Sequence, residues 1–309
     1  MQDKVLILTD GKAGHENQSK AFARALGCGF DVVEVHFRSG FCKAVSYLAD
    51  RVPGMTFPGL FAGRLQIENA GYRAVIGTGS GTFYAAKVVG AKFGIPCGVV
   101  LYPRGYRTGS FGCIMAPAFD RPASAENTIE TPTNLVANDE AFYEAGVKAF
   151  LERHTPGDRP PVAVIVGGPN KCSTMSEKWI REKLDAVFAE TEGCERWVTT
   201  SRRTPPEVEQ AVDSYPWDYR LIYSKDHFNP IPAFVSLARK LYVTAESTGM
   251  LSEACTCGSA EVYALDNLKP GGHKFRRFLD GLRAGGYVDG NRKVNLSAEM
   301  RRAKELLGL

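Results

Sequence analysis

The residues best suited to chemistry lie in short polar clusters, each placed directly behind a run of strand-like apolar residues. Thr9 to Gln18 follows Val5–Leu8 and contains Asp10, Lys12, Gly14, His15, Glu16 and Asn17. Gly11 and Gly14 permit a tight turn and close backbone approach. Lys12 and the start of the next helix favour an anion there. His15 could be a general base oriented by Glu16, or a helix-start residue bonded to its neighbours. A second turn, Gly77-Thr78-Gly79-Ser80-Gly81-Thr82, offers N–H groups and hydroxyls to a carboxylate, a phosphate or a sugar, with Gly79 at its centre. Arg104 follows the next strand and either reaches the same ligand or faces water. Neither GxGxxG nor GxxxxGK[ST] spacing is present, so this is not a dinucleotide fingerprint or a P-loop.

The second half of the chain repeats the layout. Gly167, Gly168, Asn170 and Lys171 follow Val162–Val166, where backbone donors and one cation suit a phosphate. Ser201, Arg202 and Arg203 end the next strand, and arginines can pair bidentately with phosphate or carboxylate oxygens. In Thr244–Ala254, Ser247, Thr248, Gly249 and Met250 start a helix that carries Ser252 and Glu253 one turn in. Such a start caps its own N–H groups. It also suits a diphosphate, with Glu253 able to accept from ribose hydroxyls. His273, Lys274 and Arg277 lie in Gly271–Phe278, where they hold an anion, clamp two domains, or begin a solvated helix.

The elements that must position these groups read as alternating strands and helices. Strands are expected at Val5–Leu8, Phe30–Phe37, Arg73–Gly77, Cys97–Leu101 and Cys113–Ala116. A polar, proline-rich stretch from His154 to Pro161 reads as a linker. The pattern then restarts with strands at Val162–Val166, Arg196–Thr200, Arg220–Tyr223, Lys240–Thr244 and Glu261–Ala264. Strands joined through helices imply parallel sheets. The expected fold is α/β, with two Rossmann-like domains at 1–155 and 160–295 facing a cleft. A last amphipathic helix within 296–309 is expected to cross back to the first domain. Ligands in such folds sit at the carboxyl ends of strands.

Composition bounds the reading. With 44% hydrophobic and 23% charged residues the chain is ordinary for a globular protein. A net charge of +4, dispersed rather than striped, argues against a nucleic-acid partner. No apolar run reaches transmembrane length, and the amino terminus lacks a signal-peptide pattern. A cytoplasmic location is therefore expected, with the cytoplasmic face of a membrane as an optional docking site. Apolar residues from Val45 to Leu60 either meet a lipid-linked molecule or membrane, or form part of the first core. The eight cysteines lack metal-ligand spacing and read as reduced thiols. No metal site is expected.

Taken in order, TDGKAGHENQ, GGPNK, TTSRRTP, NPIPAF, TAESTGMLSEA and GGHKFRRF resemble the motifs of the mitochondrial fission Elm family over nearly the whole chain. The resemblance implies a GT-B glycosyltransferase-like fold with a nucleotide-sugar site mainly in the second domain. It places Gly167, Gly168, Asn170 and Lys171 near the donor phosphates, with Ser201, Arg202 and Arg203 beside them. Asn229 and Pro230 fall near the nucleobase, and Ser247, Met250, Ser252 and Glu253 around the diphosphate and ribose. Asp10, Lys12, Gly14, His15 and Asn17 face them from the acceptor-side domain, and His273, Lys274 and Arg277 close the rim. The chain departs from the family pattern at Glu246, Gly249, Ser80-Gly81 and Tyr102, where relatives carry aspartate, serine, paired arginines and aspartate.

The implied activity is transfer of a sugar from a nucleotide-diphosphate donor to a hydroxyl of an envelope glycan or lipid-linked acceptor, without a cofactor. His15 is then the leading base and Asp10 the second. A nucleotide-sugar epimerase or hydrolase, or a non-catalytic scaffold of membrane dynamics, are the alternatives.

Overall fold

The computed structural model describes residues 3–52 and 54–309, which form two compact α/β units. The first comprises residues up to Ala137 together with Asn295–Leu309, and the second spans Asn138–Val294.

In the first unit the chain runs β1 (Lys4–Thr9), α1 (Ala13–Ala25), β2 (Gly29–Glu34), α2 (Gly40–Ala49), β3 (Ala74–Thr78), α3 (Phe83–Phe93), β4 (Cys97–Val100), β5 (Cys113–Pro117) and β6 (Thr128–Thr131). All pair in parallel in the order β2-β1-β3-β4-β5-β6. Alternate residues serve opposite faces of the sheet. Leu6, Leu8, Val75, Val99 and Ile114 join one core, while Val5, Ile7, Ile76 and Met115 join the other.

The second unit contains α4 (Glu140–Leu151), β7 (Pro161–Ile165), α5 (Glu177–Glu190), β8 (Glu195–Thr199), α6 (Pro206–Asp213), β9 (Tyr219–Leu221), α7 (Ile231–Leu237), β10 (Lys240–Thr244), α8 (Thr248–Thr256), β11 (Glu261–Leu265) and α9 (Lys274–Ala284). Its parallel order is β11-β10-β7-β8-β9. One core layer rests on α5 and α6 through Ile180, Leu184 and Val208. On the other side Phe150 of α4 is fully buried, with ring centroids 5.0 Å from Trp197 and 5.9 Å from Phe234.

The parallel-sheet expectation holds, and every anticipated strand forms. Three details differ. The division falls at Ala137/Asn138 because Phe150 anchors α4 to the second unit, and Gly146 lets Pro232 of α7 pack against it. Residues 154–161 are correspondingly less a free linker than a clamp. Glu195 Oε1 lies 2.6 Å from His154 Nε2, and Glu195 Oε2 accepts from Gly157 N at 2.6 Å. Strand β6 was not anticipated: Thr128–Thr131 alternates only weakly and is recruited by backbone pairing with β5. The final helix, α10 (Ser297–Leu307), belongs to the first unit, where Ala303 and Leu307 enter the core. Gly98 and Gly112 leave room for the Leu307 side chain.

Candidate functional site

Each sheet reverses its direction of strand addition at one place, and there the crevice outside the strand carboxyl ends is open to a ligand. In the first unit this point lies between β1 and β3, and in the second between β7 and β10. The loops leaving these strands are the ones singled out by their residue types.

Asp10 follows β1 and is nearly buried, its side chain only 8% exposed. His15 lies in the first turn of α1. Its Nδ1 is 3.0 Å from Asp10 Oδ1, and Lys12 Nζ donates to Asp10 Oδ2 at 2.9 Å. Burial raises the Asp10 carboxyl, but the hydrogen bonds from Lys12 and His15 outweigh it and hold the group below the ordinary aspartate range. An ionised Asp10 accepts only, so Nδ1 carries the hydrogen and the Nε2 lone pair is free to take a proton. Asp10, rather than the expected Glu16, orients His15; Glu16 pairs with Lys20 at 2.6 Å.

The β3 turn forms the floor of this dyad. Gly79, at φ 82°, lies under the imidazole so closely that a Cβ would overlap the ring. A Cβ on Gly81 would come within 2.7 Å of Asp10. Lys43 Nζ donates to Ser80 Oγ at 2.8 Å, bringing a cation from α2 to this turn. Gly14 and Asn17 are exposed along the start of α1. Arg104 is held by the segment after β5, donating to the Asp120 carbonyl, and lies 5.5 Å from the Tyr102 ring centroid.

In the second unit four strand ends are locked together. Thr244 Oγ1 accepts from Gly167 N at 2.8 Å and donates to Glu246 Oε1 at 3.0 Å. Asn267 Nδ2 donates to Glu246 Oε2 at 2.7 Å, while Asn170 Nδ2 donates to the Glu246 carbonyl at 3.1 Å. Thr204 Oγ1 donates to the Gly167 carbonyl at 2.6 Å. Gly168 packs on the Arg203 backbone with no space for a side chain, and a Cβ at Gly167 would overlap Glu246. Burial pushes the Glu246 carboxyl up, against the opposing hydrogen bonds.

Around this knot Lys171, Arg202 and Arg203 are exposed. Ser247 caps α8, with Thr248 partly exposed and Gly249 open to solvent; Met250 N donates to Ser247 Oγ at 3.4 Å. Ser252 is buried on α8. Glu253 accepts from Tyr143 Oη at 2.8 Å; burial raises its carboxyl. Asn229 is exposed, caps Ile231 N at 3.2 Å and precedes the buried Pro230.

The 271–278 group behaves as a helix start. His273 Nδ1 accepts from Arg276 N at 3.2 Å, which makes Nε2 the donor to the Lys269 carbonyl at 3.0 Å. Arg277 donates to the Gly272 carbonyl, and Lys274 is exposed. Neither ring nitrogen of His273 is left for a ligand.

Sequence reasoning missed Thr244, Glu246 and Asn267 as a buried polar knot. An acidic residue between a strand end and a helix cap was its only local sign. All eight cysteines are free thiols, and no group of three or more His, Cys, Asp or Glu side chains is placed to hold a metal among the described residues.

The two parallel-sheet units define a protein of GT-B-like fold. A Listeria monocytogenes protein provisionally assigned as a UDP-N-acetylglucosamine 2-epimerase shares that fold at a TM-score of 0.51 and 12% identity, covering 100% of this chain and 89% of its own. Acinetobacter baumannii MurG matches at a TM-score of 0.49 and 13% identity, covering 99% of this chain and 93% of its own. The family model described as mitochondrial fission ELM1 matches residues 13–305, and the chain belongs to that family. An uncharacterised Rickettsia prowazekii protein, RP120, is 26% identical over 134 residues; the match takes in 41% of this chain and 38% of that relative's length.

Proposed function

We propose that this protein is an enzyme acting on a nucleotide-diphosphate sugar, with the diphosphate held by the second unit. The observation that carries the reading is the convergence of the β7, β8 and β10 ends at a topological switch point. Side chains are excluded at Gly167 and Gly168, while Arg202, Arg203 and the α8 start remain available to an anion. Gly167, Gly168, Asn170, Lys171 and Ser247–Met250 then cradle phosphate oxygens through N–H groups and charge. Ser201 lies beside them, Ser252 supports the helix from within, and Asn229 with Pro230 flank the nucleobase. Glu253 Oε1 accepts from both Tyr143 and Asn138, and its second carboxylate oxygen keeps acceptor capacity for a ribose hydroxyl.

His15 is the general base of this reading. Asp10 fixes its tautomer and stabilises the imidazolium once Nε2 has taken a proton. That proton comes from a sugar carbon in epimerisation, from water in hydrolysis, or from an acceptor hydroxyl in transfer. Epimerisation or hydrolysis stands first, because neither needs an acceptor other than water and because the fold occurs in the Listeria protein assigned as a 2-epimerase. Transfer to a lipid-linked or glycan hydroxyl is the second reading. The apolar outward face of α2 on the first unit is the feature that favours it.

The test is a thermal-shift screen against UDP-, GDP-, ADP-, CMP- and dTDP-sugars, followed by calorimetry and by NMR of the hit incubated without acceptor. Selective stabilisation, lost in Arg202→Ala and Lys171→Ala, is expected. Conversion of the sugar without acceptor selects epimerase or hydrolase, and an inert donor selects transfer. Folded protein that no nucleotide stabilises overturns the proposal in favour of a scaffold role.

A further inference from the structure

Helix α2 exposes large apolar side chains on its outer face. Phe41, Ala44 and Leu48 recur on one face and are exposed, Phe41 by 77% and Leu48 by 68%. The opposite face turns toward the core with Cys42, Ser46 and Ala49, and Tyr47 stacks on Tyr106 there at 4.5 Å between ring centroids. Ser46 is buried there, within 2.8 Å of Tyr106 Oη. Globular helices place the large apolar residues inward. Here Phe41 and Leu48 face out, and the following loop continues the pattern with Val52, Met55 and Phe57 exposed. Singly exposed apolar residues need no explanation, but a grouped set indicates a binding surface.

The charge around this surface names its occupant. From His36 to Ile67 the exposed ionisable residues include Arg38, Arg51 and Arg64, and the only carboxylate is Asp50. Asp50 is withdrawn into the interior and neutralised by Lys87 Nζ at 2.5 Å. Beneath the loop, a cavity of about 310 Å³ is walled by Val52, Met55, Ile95 and Pro96, with Asp50, Lys87 and Arg107 as its charged groups. Those three groups sum to one positive charge. Ile95, Pro96 and Gly112 precede β4 and β5, so the cavity lies at the amino ends of the strands, away from the Asp10–His15 dyad at the carboxyl ends.

We propose that α2 and the loop through Arg64 dock this protein on an anionic lipid bilayer. Phe41, Leu48, Val52, Met55 and Phe57 enter the boundary of headgroups and acyl chains, where apolar burial drives attachment. Arg38, Arg51 and Arg64 remain at headgroup level, and Arg107 at the cavity offers a further cation to a lipid phosphate. The protein then lies on the membrane without crossing it: no helix among the described residues is long and apolar enough to span one.

The experiment is co-sedimentation of the full chain with phosphatidylcholine vesicles and with vesicles containing phosphatidylglycerol, at low and high salt. Binding to the anionic vesicles alone, weakened by salt, is expected. Arg51→Gln should weaken it about five-fold. The double substitution Phe41→Ser, Leu48→Ser should abolish it, with the thermal midpoint and near-ultraviolet circular dichroism retained. Arg38→Gln with Arg64→Gln provides a second variant in which no apolar residue changes. Absence of pelleting by the unmodified protein, or equal pelleting by all variants, overturns the proposal. So does self-association that the serine variant removes while vesicles stay unbound. Nucleotide-sugar binding measured on the same preparations reports separately on the second unit.

Discussion

The imidazole of His15 depends on two neighbours for its chemical character: Asp10, which fixes the tautomer, and Gly79, which leaves space for the ring. Each gives a separable prediction. His15→Ala should lower turnover by about 10²- to 10⁴-fold, the usual contribution of a general base, while the calorimetric nucleotide affinity stays constant. Asp10→Asn preserves shape but removes the acceptor that holds Nδ1–H. A comparable fall in turnover, again without loss of binding, is expected. Gly79→Ala combines a left-handed backbone with overlap on His15. It should destabilise the first unit by about 1–3 kcal/mol in denaturant unfolding and reduce turnover through displacement of the ring. Lys12, although charged and adjacent, serves partly to keep Asp10 ionised, so Lys12→Ala should reduce turnover less than Asp10→Asn does.

At the level of elements, the second unit shows how a loop becomes a binding surface. The β7 turn is pinned from below by Thr244 and Glu246 and from the side by Thr204 and the Arg203 backbone. Gly168→Ala therefore has nowhere to place its methyl group. It should abolish nucleotide stabilisation in the thermal-shift assay and destabilise the unit, whereas Gly249→Ala, with open space around it, should retain most binding. The central strands β1, β3, β4, β7 and β10 were readable because their buried runs are nearly continuous, as parallel strands covered on both faces require. Strand β6 was not, since its membership comes from pairing with β5 rather than from side-chain pattern. The 154–161 stretch has the composition of a linker, but the ring of His154 packs among Phe150, Trp197 and Tyr219.

For the molecule as a whole, that last cluster sets a pH dependence. Burial raises the Glu195 carboxyl, but bonds from His154, Trp197 and Gly157 outweigh it and leave the group below the ordinary glutamate value of 4.5. A lowered folded pKa means that the unfolded chain binds the proton more readily, so the contribution is present above that ordinary value. It is lost as pH falls through the lowered folded value. Denaturant unfolding of the unmodified protein should show this acid limb, and Glu195→Gln should flatten it while reducing stability at neutral pH. The buried Glu246 acts with the opposite sign. Its raised folded pKa makes it progressively less favourable as pH climbs above the ordinary glutamate range.

The sequence by itself determined the alternation of strands and helices, the parallel sheets that follow from it, and the polar turns at Asp10, Gly79, Gly167 and Ser247. Those properties depend on local apolar runs, turn chemistry and helix caps, which a linear reading can detect. Its motifs also carried the family resemblance. Only the tertiary structure decided that Asp10 rather than Glu16 orients His15, that His273 is occupied by its own backbone, and that Glu246 sits inside a polar knot. It likewise decided that Phe41 and Leu48 of α2 face outward while Tyr47 of the same helix, and Phe61 and Leu65 beyond it, join the core. The physical reason is common to these cases. Hydrogen-bond partners and burial are set by which strand lies beside which, and residues distant in the chain meet only after the sheet order is fixed.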